Sequence, residues 1–137
     1  MKLATDEEQR TYEQALQVTL DEIAAADAVI VGGASGMSTA NGWDYYSANA
    51  NFQKEFSPWY DKYQINGIFD GTYRDWQDPE ERWGFMAHFF YWVKHLPIGD
   101  TYQDLKTLLA NKSVFVWTTN QDRQFNKIYP ASQIAHP

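Results

Sequence analysis

The chain has 137 residues, 44% of them hydrophobic, and carries 6 Trp, 9 Tyr and 8 Phe, a composition that excludes a disordered tail and predicts a single domain over 1–137. Its formal net charge is −7 with only 11 basic residues, which argues against a surface that binds nucleic acid by neutralising phosphates. The absence of cysteine excludes disulfides, thiol catalysis and a thiolate zinc site, and no apolar run reaches the length of a membrane span. Met1–Asp6 lacks the basic and apolar regions of a signal peptide, so a cytoplasmic protein is expected.

The first element is a helix from about Asp6 to Ala26. Thr5 and Glu8 have capping-box spacing, and Tyr12, Leu16, Leu20 and Ile23 form one apolar stripe. Ala28–Val31 is a β-branched run read as a buried strand, delivered at once into Gly32 and Gly33. Ser38, Thr39 and Ala40 belong to a short helix ending near Gly42. From Trp43 to Gly71 the aromatic residues have helical spacing only in part, and no element boundaries follow from them.

A strong helix is predicted next. Asp78 is its cap, Pro79 suits the first helical position and Glu81 completes the N-terminal signature. Apolar residues occupy nearly every face of it, so a buried helix is expected through Leu96, where Pro97 and Gly99 end it. A further helix spans about Tyr102 to Ala110, and Val114–Trp117 is a second strand, leading into Thr118–Asp122. Residues 131–137 show no clear element.

Two strands with helices between them indicate an α/β fold, a partial Rossmann-like parallel sheet flanked by helices, with the two strands adjacent. Ligands of such sheets bind beyond the strands' C-terminal ends, where both polar loops fall. The glycines of the first loop would let a backbone approach a pyrophosphate, although Gly33-Ala34-Ser35-Gly36 does not match G-x-G-x-x-G, and a plain glycine-rich turn is the alternative. In the second loop Asn120 and Asp122 would point into the crevice, the alternative being an Asx-type turn that caps the next helix. His88 and His95 share a helix face but have no evident third ligand, so no metal site is expected.

Taken together, GGASGMSTANGWDYYS and VFVWTTNQDRQF resemble the sirtuin (Sir2) family, and FQKEF, GIFDGTYRDW and EERW extend the likeness to its class M branch of macrodomain-linked protein ADP-ribosyltransferases. The resemblance implies NAD as cofactor, with Gly32, Gly33, Ala34 and Gly36 lining a phosphate loop and Ser38 opening the helix beneath it. It also implies cofactor binding and catalytic roles for the second loop. Thr119 lies in that loop, Asn120 would hold the nicotinamide ribose region and Asp122 the carboxamide, while Tyr45 or Tyr46 would clamp the cofactor. Trp43-Asp44-Tyr45-Tyr46 departs from the proline-aspartate-phenylalanine-arginine string of deacetylases, which points away from deacetylation.

The family's histidine-glycine or glutamine-glycine step, its zinc module and its adenosine-binding strands lie outside these residues. His136 falls near the catalytic position, but Pro137 stands where glycine is expected, and a loosely held terminal histidine is the simpler reading. The expectation is therefore a truncated sirtuin-like domain with a weak NAD or ADP-ribose site, no zinc and no turnover alone. One half of a split enzyme and a non-catalytic interaction module are the alternatives. A small sheet with an open edge, and the aromatic helix 80–96 whose Trp83, Phe85, Phe89, Phe90 and Trp92 go around it and cannot all face so small a core, together predict a homodimer.

Overall fold

A computed structural model describes residues 5–137. The chain runs through α1 (Asp6–Ala25), β1 (Ala28–Gly33), α2 (Ser35–Ala40), α3 (Ala50–Glu55), α4 (Ser57–Tyr63), α5 (Ile68–Tyr73), α6 (Pro79–His95), α7 (Asp100–Leu108) and β2 (Ser113–Thr118). It closes with α8 (Phe125–Ile128), a 3-10 turn (Ala131–Gln133) and β3 (Ile134–Ala135). The α/β class holds: the three strands form one sheet in the order β1-β2-β3, and every pairing is parallel. Ala28 pairs with Ser113 and the register continues to Gly33 with Thr118, so the two strands read from sequence are adjacent as expected. The tail contains an element that sequence left blank, because Ile134 and Ala135 pair with Val116 and Trp117.

One face of the sheet is packed and the other is bare. Val114, Val116 and Thr118 are buried, with Val29, Val31 and Gly33 half-buried beside them. On the opposite face Ile30 is 76% exposed, and its register partner Phe115 and nearby Trp117 are 40% and 55% exposed. The expectation of a buried first strand is therefore corrected. Its β-branched residues supply strand propensity, but α-helical cover reaches only one side.

A second correction concerns α1. The capping box forms, with Thr5 N–H donating to Glu8 Oε2 at 2.7 Å and Glu8 N–H donating to Thr5 Oγ1 at 3.3 Å. Yet the predicted stripe stays open: Tyr12, Leu16 and Leu20 are exposed and only Ile23 packs on the core. Lys112 secures the helix at its far end, where its Nζ donates to the carbonyls of Ala24 and Ala26 at 2.7 and 2.9 Å. A lysine there complements the partial negative charge of a helix C-terminus.

The core is dominated by aromatic rings. Asp78 Oδ1 accepts from Glu80 N–H at 2.9 Å, Pro79 takes the first position of α6, and one stripe of that helix buries Phe85, Phe89 and Val93. Phe56 stacks on Phe52 with centroids 5.0 Å apart and meets Phe85 at 5.4 Å, which ties α3 and α4 to α6. The opposite face of α6 is not buried as predicted, since Trp83, Phe90 and Tyr91 are exposed. The two histidines of α6 make local contacts: His88 Nε2 lies 2.7 Å from the Glu55 carbonyl and His95 Nδ1 lies 2.7 Å from that of Tyr91. Among the described residues no three His, Cys, Asp or Glu side chains are grouped to hold a metal ion, and no helix is long and apolar enough to cross a membrane.

Candidate functional site

The C-terminal ends of β1 and β2 are joined side chain to backbone. Thr118 and Gly33 are register partners, and Thr118 Oγ1 donates to the Gly33 carbonyl at 2.7 Å. The same oxygen accepts from Asn120 N–H at 3.0 Å, so the strand end sets where the following loop begins. Gly33 answers a packing demand here, because a Cβ would stand 2.7 Å from the ring of Phe125. At Gly32 and Gly36 a Cβ would meet nothing within 4 Å, so no protein neighbour requires glycine at either position. Helix α2 begins at Ser35 rather than near Ser38, which leaves Ser38 buried within it.

Below the loop lies a closed polar network. Asp122 is 1% exposed, and its Oδ2 accepts from the hydroxyls of Ser38 and Tyr102, both at 2.6 Å. Asn120 Nδ2 donates to Ser38 Oγ at 2.9 Å and to Tyr102 Oη at 2.8 Å, while Asp122 Oδ1 accepts from Gln124 N–H at 3.0 Å. A buried carboxylate is tolerated only when its lone pairs are met, and here three donors, the Ser38 and Tyr102 hydroxyls and the Gln124 N–H, lie within 3.0 Å of the two oxygens. Burial first, then hydrogen bonding to Asp122 and its charge, push the Tyr102 phenol well above its ordinary pKa, so it serves as a donor. The network fixes Asn120, whose amide is held between two hydroxyls.

Above this network opens a cavity of about 730 Å3. Ala34 and Ser35 line it from the β1–α2 turn, and Thr118, Thr119, Asn120, Gln121 and Arg123 from the loop after β2. Tyr45, Tyr46, Phe69, Tyr73 and Phe90 form an aromatic wall. That wall is set by Gly67, whose φ of 123° only glycine adopts readily and where a Cβ would lie 2.9 Å from the Tyr45 carbonyl. The same carbonyl accepts from Phe69 N–H at 3.1 Å, binding the start of α5 to the Tyr45 segment. Tyr45 meets Phe69 and Phe89 edge-on at 5.7 and 5.8 Å. It is 1% exposed, and its hydroxyl is buried towards Ser38 and Asp122 without a well-formed hydrogen bond among the described residues; burial followed by the Asp122 charge raises its pKa well above the ordinary phenol value, with Ser38 partly opposing the shift.

Of the residues singled out from sequence, Ala34, Tyr45, Tyr46, Thr119 and Asn120 line the cavity. Gly32, Gly33, Gly36, Ser38 and Asp122 do not. Ser38 and Asp122 lie in the network beneath. His136, read from sequence as a loose terminal residue, lines the cavity directly after β3, because pairing with β2 carries the tail back to the site. Arg123, Phe69, Tyr73 and Phe90 were not anticipated in the cavity, nor Tyr102 in the network. Tyr102 had a usable signal: it opens a helix at the end of which the chain enters β2, so its side chain stands near the loop after that strand.

No protein-family model matches the chain. It is similar to a Staphylococcus aureus protein named protein ADP-ribosyltransferase, at 29% identity over 99% of this chain and 42% of that protein. It is also similar to a Fusarium oxysporum f. sp. cubense protein named probable bifunctional ADP-ribose hydrolase/ADP-ribosyltransferase, at 30% identity over 94% of this chain and 22% of that protein. The chain thus spans less than half the length of either relative.

Proposed function

We propose that residues 1–137 form one NAD-binding domain of the ADP-ribosyltransferase type, of the class M sirtuin kind that its loops resemble. The observation that carries this reading is the convergence of Ala34, Tyr45, Asn120 and His136 on one cavity beyond the C-terminal ends of two parallel strands. That is the position where open α/β sheets take nucleotides, and the volume falls in the usual range for small-ligand sites. Names of the two relatives support the same chemistry.

The residues present fit a nicotinamide dinucleotide. The aromatic wall offers stacking surface, and the side chain of Asn120 and the Ser35 segment offer polar contacts. When bound, NAD supplies a ribose carbon from which nicotinamide departs. Asn120, fixed by Ser38 and Tyr102, is assigned contact with the nicotinamide ribose, and Asp122 acts through it as a positioning residue. An imidazole at His136 has the chemistry to accept a proton from a ribose hydroxyl.

The test is calorimetry of the chain with ADP-ribose. Binding is expected in the millimolar range, about 4 kcal/mol, and Asn120→Ala should weaken it about tenfold, the loss of one charge-free polar anchor. Unaltered binding in Asn120→Ala would remove the assignment of the site.

The bare sheet face favours a second reading alongside the first, that the domain works joined to another polypeptide. The chain exposes 9229 Å2, against roughly 7,400 Å2 expected for its mass. The excess, about 1,800 Å2, is more than one partner contributes to an ordinary stable interface. A second copy is the simplest such partner.

A further inference from the structure

The charge on the cavity lining runs opposite to that of the molecule. The chain has a formal net charge of −7, yet no Asp or Glu side chain lines the cavity. Among the described residues Arg123 is the one fixed cation lining the cavity, which His136 also lines. Asp122 stands next to Arg123 in sequence, but its carboxylate is enclosed by Ser38, Tyr102, Asn120 and the Gln124 N–H. Arg123 has no hydrogen-bond or ion-pair partner among the described residues.

Backbone geometry aims this side chain outward. Asp122 and Gln124, on either side, are fully buried, while Arg123 is exposed at the cavity. Its φ is 58°, the left-handed region in which glycine or asparagine is more comfortable. The turn alone would be better served by glycine, so arginine there has to be explained by its side chain.

We propose that Arg123 is the anion-recognising residue of this cavity and that its target is the diphosphate of a nucleoside-diphosphate sugar. This rests on the reading of the cavity given above and deepens it. A guanidinium presents paired N–H donors that match two phosphate oxygens at once, which an isolated lysine or a helix terminus does not. It would also offset the negative charge of Asp122 lying under the floor.

The experiment is calorimetric titration of the whole chain with ADP-ribose and with inorganic pyrophosphate. The unaltered chain should bind both. Arg123→Gln should weaken ADP-ribose binding about tenfold to a hundredfold, as loss of a charged hydrogen bond does, and abolish pyrophosphate binding. Arg123→Gly should do the same with an unchanged or higher melting temperature, since it relaxes the turn, and this separates recognition from folding. Arg123→Lys should recover part of the loss. Asn120→Ala should keep pyrophosphate binding while weakening ADP-ribose binding about tenfold. Equal ADP-ribose affinity in the unaltered chain and both Arg123 variants would overturn the role of Arg123 and leave the cavity reading standing. Failure of the unaltered chain to bind ADP-ribose would overturn both.

Discussion

At the scale of single residues, the site is a buried carboxylate that organises its surroundings without facing the cavity. Asp122 receives the Ser38 and Tyr102 hydroxyls, and those hydroxyls in turn receive the Asn120 amide. The Tyr102 proton is held more tightly in the folded chain than in the unfolded one, because its folded pKa is raised. Below the unfolded phenol value of about 10 both states keep the proton and the linkage is silent. Above it the unfolded state loses the proton first, so stability falls as pH rises. Urea midpoints should therefore drop between about pH 9 and pH 11, and the drop should be shallower in Tyr102→Phe. An unchanged slope in that variant would mean that Tyr102 is not the residue responsible. Tyr102→Phe should also cost about 1–3 kcal/mol at neutral pH, because Asp122 and Asn120 each lose a partner.

At the scale of elements, α6 shows how an aromatic helix divides its residues. Phe85 and Phe89 are fully buried, Phe90 lines the cavity, and Trp83 and Tyr91 face outward. Phe85→Ala or Phe89→Ala should destabilise by about 3–5 kcal/mol, whereas Trp83→Ala should stay within about 0.5 kcal/mol. Chemical denaturation of the three variants checks this, and a large loss in Trp83→Ala would count against the packing described. The helix itself was legible in sequence because its cap and proline are local signals, and β1 and β2 were legible because their β-branched runs are bounded by turn residues. Its buried face was not, since rings on every side erase the periodicity that would mark one. The same crowding hid α3, α4 and α5 between Trp43 and Gly71. Both loops of the site could be read from their residue types. Tyr102 and the return of His136 depend on pairings between distant segments, which local pattern does not carry.

At the scale of the whole molecule, the uncovered side of the sheet matters most. Ile30, Phe115 and Trp117 lie together on a parallel sheet, an architecture that ordinarily has both faces covered. Self-association expected from sequence was attributed to α6 and to edge strands; the sheet face adds Ile30, Phe115 and Trp117 as a further exposed apolar surface. Sedimentation at micromolar concentration should give a mass above 15.9 kDa, and Trp117→Lys should return it to the monomer. A monomer in the unaltered chain would leave a second polypeptide of another kind to supply the cover.

The shortness of β3 has a consequence for the cavity. Its two residues pair with Val116 and Trp117, and His136 follows immediately. Two register pairs are all that tie His136 to the sheet among the described residues, whereas Asn120 is held by the network beneath the cavity. The two residues are therefore anchored independently, and a substitution that weakens the pairing of Ile134 and Ala135 is expected to displace the imidazole without disturbing Asn120. A ligand that touches both would lose one contact and keep the other.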